Sequence, residues 1–133
     1  MKLSKNFTLA EFTHSQMAIE RGILNEPDAE QREAIQQFVD HLLQPLRERV
    51  GEAIAIASGF RNQEVNRLVG GVPTSRHTKG EAADCYCASG PEHLLQVLLD
   101  GGLPFDQAIV YKRKRFLHLS YRQGRCRKMV LYK

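Results

Sequence analysis

The apolar residues of this chain change their period partway along, and that change limits the folds open to it. From Pro27-Asp28 onward, Ile35, Phe38, Val39, Leu42, Leu43, Leu46 and Val50 recur at three- and four-residue steps, the spacing that lines one face of a helix. From Phe105 onward the pattern becomes three short strand-like runs, 105–111, 116–121 and 128–132, separated by basic or Gly-containing turns. Sequential short runs imply antiparallel pairing. Helices first and strands later predict an α+β domain, with helices packed on a small, mainly antiparallel sheet.

The remaining elements fit between these landmarks. Thr8-x-x-Glu11 has the capping-box pattern and opens a short helix carrying Leu9 and Phe12, and a second short helix is expected at 15–21. Pro45 falls inside the principal helix, where its missing N–H and its ring should kink or break it. The run Ala53-Ile54-Ala55-Ile56-Ala57 reads as a buried strand ended by Ser58-Gly59. Asn62 then caps a helix through Val65, Leu68 and Val69 that stops at Gly70-Gly71, and a loop runs to Gly80. A strand follows at 82–86, and Ser89-Gly90-Pro91-Glu92 starts a helix that ends at Gly101-Gly102.

Composition narrows the functional classes. At 133 residues, 42% hydrophobic and 26% charged, the chain fits one ordinary domain spanning 1–133, with no internal repeat and no low-complexity tract. No apolar run follows the basic start in the manner of a signal peptide. The longest apolar stretches, such as 94–99, fall far short of the ~20 residues that span a bilayer. A protein made in the cytoplasm, taken as a monomer, is the expectation. Cys85, Cys87 and Cys126 are an odd count and read as small hydrophobes on or near a strand, with thiolate metal ligation as the lesser alternative.

Charge is unevenly placed: residues 111–133 hold nine Lys/Arg and no acid. Such a patch attracts polyanions, or else forms the solvated face of a terminal hairpin. Nucleic-acid binding through 112–133 is the weakest of the functional readings considered.

The chemistry-bearing segment is Ser75-Arg76-His77-Thr78-Lys79-Gly80-Glu81-Ala82-Ala83-Asp84, joined later by Phe116-Leu117-His118-Leu119-Ser120. Two His and one Asp can hold zinc with an open fourth position, as catalytic sites require. Taken singly, His118 between two leucines is equally a satisfied core histidine. His14, His41 and His93 read as surface or packing residues.

The longer pattern is more specific. Ser75-x-His77-x-x-Gly80-x-Ala82-x-Asp84 with the later His118 resembles the zinc D-alanyl-D-alanine peptidase family, peptidase family M15, in its branch of small single-domain members. Phe7-Thr8-Leu9-x-Glu11-Phe12, Ser58-Gly59-Phe60-Arg61-Asn62-x-Glu64-Val65-Asn66, Val69-Gly70-Gly71-Val72-Pro73, Phe105-Asp106-Gln107 and His118-Leu119-Ser120-Tyr121 extend the resemblance along nearly the whole chain.

The resemblance implies the D-Ala-D-Ala peptidase/Hedgehog-like fold and one Zn2+ per chain, held by His77, Asp84 and His118. It implies a catalytic and substrate-binding Arg61, a substrate-side Ser75, and hydrolysis of peptidoglycan peptide bonds involving D-amino acids, of carboxypeptidase or endopeptidase type. Gly80 permits the tight turn and Ala82 and Ala83 the close packing beside it.

The family commonly places a carboxylate base at the third position before the last histidine or at the end of the preceding strand. Here those places hold Arg115 and Tyr111. Glu81 and Asp106 are the other acids at hand, Asp106 within a motif that reads as structural. A zinc-containing module that binds wall peptide without cleaving it is therefore the alternative. The substrate lies outside the cytoplasm and the chain shows no export signal, which a phage or mobile-element lysin released through a separate pore would reconcile.

Overall fold

The computed structural model describes the whole chain, residues 1–133, and four of its helices begin on the side-chain caps that the sequence offers. Thr8 and Glu11 satisfy each other's backbone N–H at the start of α1, Leu9–Thr13. Ser15 caps α2, Gln16–Arg21, and Asp28 with Gln31 forms a second reciprocal box at α3, Ala29–Phe38. Asn62 accepts from the Val65 N–H to open α5, Gln63–Leu68. Each such cap contributes about 1 kcal/mol.

Pro45 does not break the principal helix. Between α3 and α4, Gln44–Val50, the backbone widens into a π-type turn over Val39–Leu43, in which the Gln44 N–H reaches back to the Val39 carbonyl. The extra residue in that turn absorbs the N–H that proline lacks. Val39, Leu42, Leu43 and Leu46 stay fully buried across the junction.

The strands are β1, Ala55–Ser58; β2, Ala82–Tyr86; β3, Gln107–Tyr111; β4, Phe116–Ser120; and β5, Met129–Tyr132. They form one sheet in the order β1-β2-β4-β3-β5. The first three pairings are antiparallel, but β5 lies parallel to β3, with Gln107 opposite Met129 and Ile109 opposite Leu131. The expected terminal hairpin is thus absent. Both edges of β4 are taken by β2 and β3, which leaves the outer edges of β1 and β3, and β5 docks on that of β3. The chain leaves β4 at the end of the sheet where β3 begins, and a strand laid on that edge must run parallel to β3.

Side chains alternate across a sheet, and here the alternation separates packing from chemistry. Ala83, Cys85, Leu117, Leu119, Ala108 and Val110 join the apolar cluster built with Phe38, Leu42 and Leu46 of the long helix and Leu94 and Leu98 of α6, Pro91–Asp100. Asp84 and His118 take the intervening positions and point to the other face. No helix is long and apolar enough to cross a membrane.

Candidate metal centre

Sheet register delivers two of the three sequence-predicted ligands. Asp84 on β2 stands directly opposite His118 on β4, and Ser58 at the end of β1 stands opposite Asp84 after a register shift. His77 arrives from outside the sheet on a 3₁₀ turn, Arg76–Lys79, which Ser75 caps by accepting the His77 N–H at 3.3 Å. Gly80 ends that turn at φ 76°, and a β-carbon there would lie 2.5 Å from the Gln31 carbonyl oxygen. Only glycine suits both the left-handed backbone and the close approach.

The three side chains meet. Asp84 Oδ1 lies 2.8 Å from His118 Nδ1 and 3.4 Å from His77 Nε2, and the two imidazoles are 5.1 Å apart, centre to centre. His77 Nδ1 is 2.7 Å from the Gly59 carbonyl, which can only accept, so Nδ1 carries a proton and Nε2 is the nitrogen turned toward Asp84. Burial alone would raise the Asp84 pKa. Hydrogen bonds from His118 and His77, with their charge, outweigh it and hold the carboxyl well below the usual range.

These groups could hold a metal ion: one ligand atom from each lies within 4.8 Å of the others. Two nitrogens and one oxygen suit zinc, whose tetrahedral ligands stand roughly 3.3 Å apart when bonds are about 2.0 Å long. His118 and Asp84 keep 15% and 13% of their side-chain surface exposed, so a fourth ligand can approach.

Arg61 lies half-buried beside this group. Its Nε donates to Ser58 Oγ at 3.1 Å and its Nη1 to Asn66 Oδ1 at 3.0 Å, which uses two of five N–H groups. Burial lowers its pKa, and the Asp84 charge partly restores it. It forms no ion pair with a surface acid. A cleft of about 340 Å³ opens next to it, lined in part by Met17, Ser58, Val65 and Val69. The larger cleft, about 580 Å³, lies between α3 and the 3₁₀ turn and contains none of the triad.

Asn66 is the residue that sequence reasoning left without a role. It is 1% exposed, holds Arg61 through Oδ1 and binds the Val72 carbonyl through Nδ2. A buried amide on an otherwise apolar helix face is the signal that could have found it. Asn25 is similar: it ties the Thr13 and Phe60 carbonyls to the Asn62 N–H.

The other carboxylates are committed elsewhere. Glu81 pairs with Arg76 at 3.0 Å, and Asp106, 1% exposed, is gripped by Arg127 at 2.7 Å and Arg76 at 3.2 Å. Arg115 pairs with Glu92 at 3.1 Å, and the ring of Tyr111 stacks on Phe116. All three cysteines are free: Cys85 is buried in the core on β2, whereas Cys87 and Cys126 are half-buried in loops. His41 stacks on Tyr121, a packing role.

Residues 5–120 match a family model described as Peptidase M15. No curated protein matches the chain.

Proposed function

Because the chain belongs to the peptidase M15 family, a family of metallopeptidases, we propose that it is a zinc peptidase hydrolysing peptidoglycan peptide bonds that involve D-amino acids. The carrying observation is the convergence of His77, Asp84 and His118 beside an incompletely engaged arginine, with solvent access to the centre. Zinc at this position would polarise the scissile carbonyl and bring the pKa of a bound water down to about 7.

The chain's own residues do the rest. Gly59 fixes the His77 tautomer, so that the coordinating nitrogen is set before a metal arrives. Arg61, steadied by Ser58 and Asn66, has N–H groups left for a substrate carboxylate or a developing oxyanion. Ser75 lines the same side. Its oxygen already accepts the His77 N–H, and its hydroxyl proton is left for a substrate carbonyl. A lysin released through a separate pore would bring these groups to the wall.

The second reading, a zinc-containing module that binds wall peptide without turnover, is favoured by Arg115 and Tyr111 standing where the family commonly puts a carboxylate. One preparation tests both: zinc content and muropeptide cleavage, followed by mass spectrometry, on wild type and His118→Ala. The peptidase reading expects one zinc per chain with cleavage, and loss of both in the variant. Stoichiometric zinc and peptide binding without cleavage, where a related enzyme works, would establish the second.

A further inference from the structure

Three aromatic rings stand on the metal-centre face of the sheet with no part in the main core. Tyr86, Phe116 and Tyr111 lie two residues along from Asp84, His118 and Ile109 respectively. Because β4 runs against β2 and β3, all three steps point the same way. The rings of Tyr111 and Phe116 stack with centroids 4.6 Å apart, and Tyr86 meets Phe116 edge-on at 5.8 Å. Two residues of strand place this row about 7 Å from the triad. Tyr86 is exposed and the other two half-buried. None belongs to the main apolar cluster.

Cations close the far side of the row. The Lys133 ammonium sits 6.0 Å from the Tyr111 ring centre. Arg113 and Lys114, both exposed, stand in the turn between β3 and β4, whereas the Lys112 ammonium lies over the Tyr132 ring at 5.6 Å. Arg115, the last residue of that turn, already has Glu92. The 111–133 segment holds no acid. Moving away from the triad, the face therefore offers ligand atoms, then a ridge of rings, then positive charge without an acidic partner.

We propose that this ridge and its cationic end are a second binding site for the polymer cleaved at the metal centre, and that the polymer is an acidic peptide. The inference rests on the peptidase reading. The ridge is continuous with the triad, so one extended chain can cover both. Its apolar atoms lie on Tyr86, Phe116 and Tyr111. A carboxylate about four residues from the scissile bond, roughly 14 Å away in an extended peptide, reaches Lys133 and the turn cations. A neutral segment would leave that charge unused.

Two labelled peptides ending in D-alanyl-D-alanine, alike except for Glu or Gln four residues from the terminal bond, test the site by fluorescence anisotropy with the full chain. The Glu peptide should bind about tenfold tighter at low salt, and the preference should shrink at about 0.5 M salt. Lys114→Gln with Lys133→Gln should abolish the preference. Tyr86→Ala, at an exposed position, should weaken both peptides about fivefold while leaving the thermal midpoint in place. Equal binding of the two peptides, or a preference that survives the lysine changes, overturns the proposal. So does tighter binding of a single-stranded oligonucleotide that depends on Tyr86. Cleavage is scored separately. Preference without cleavage supports the site and counts against the peptidase reading; cleavage without preference does the reverse.

Discussion

Arg61 keeps its position because residue 71 has no side chain. A β-carbon on Gly71 would overlap the Asn66 amide oxygen and lie 2.9 Å from Arg61 Nη1. Gly71→Ala should therefore push the guanidinium out of place while leaving the triad intact. We expect KM to rise about tenfold, the worth of roughly one good hydrogen bond to a charged group, with zinc content unchanged. Steady-state kinetics beside metal analysis on one sample would check this. An unchanged KM would mean that Arg61 does not read the substrate. Arg61 itself was legible in Ser58-Gly59-Phe60-Arg61. Its dependence on Asn66 and Gly71 was not, because these contacts span only five or six residues and rest on the way Asn66 is buried at the end of α5, which no residue spacing records.

At the scale of elements, Asp106 ties together three pieces that sequence order keeps apart. It precedes β3, binds Arg127 just before β5, and binds Arg76 at the head of the turn that carries His77. Hydrogen bonding from Arg127 lowers its pKa; burial opposes this, and the charges of Arg127 and Arg76 add to the lowering. A carboxyl whose folded pKa is depressed stabilises the fold above its unfolded value of about 4 and loses that contribution as pH falls through the folded value. Asp106→Asn should cost about 1–3 kcal/mol at pH 7. In urea unfolding followed from pH 7 to 3, the gap between wild type and variant should narrow below about pH 4. A gap independent of pH would remove the ion pairs from the explanation.

The elements themselves were largely readable, because caps and apolar periods are local. Asp28, Asn62 and Thr8 start their helices where expected, and β2 spans the expected residues. Three features escaped. The run 53–57, read as a buried strand, is the outer strand β1 over Ala55–Ser58, exposed or half-exposed along its length. The π-type turn ahead of Pro45 depends on the core holding Leu42, Leu43 and Leu46 in place around a missing hydrogen bond. The parallel docking of β5 depends on which sheet edge is still vacant, a property of the assembled sheet that no single run of residues carries.

Across the whole molecule, a metal held by β2, β4 and the 3₁₀ turn would clamp elements from distant parts of the sequence and so stabilise the folded state by mass action. At zinc one hundredfold above its dissociation constant the gain is about 2.7 kcal/mol. For a chain this long that is a rise in thermal midpoint of roughly 8–12 °C. Calorimetry of chelator-treated protein with and without zinc should show the rise, and His77→Ala should lose it. An equal rise in the variant would place the ion elsewhere.

The late arrival of β5 also bears on how the chain is made. All three triad residues, and the strands that present two of them, are complete by Ser120, and Gln107 must wait for Met129 to be synthesised before its outer edge is covered. During synthesis His77, Asp84 and His118 can come together while the β3 edge is still open to any passing strand. The four cations that follow β3, Lys112 to Arg115, then disfavour parallel pairing of that edge with a second copy of itself, since like charges would be brought side by side.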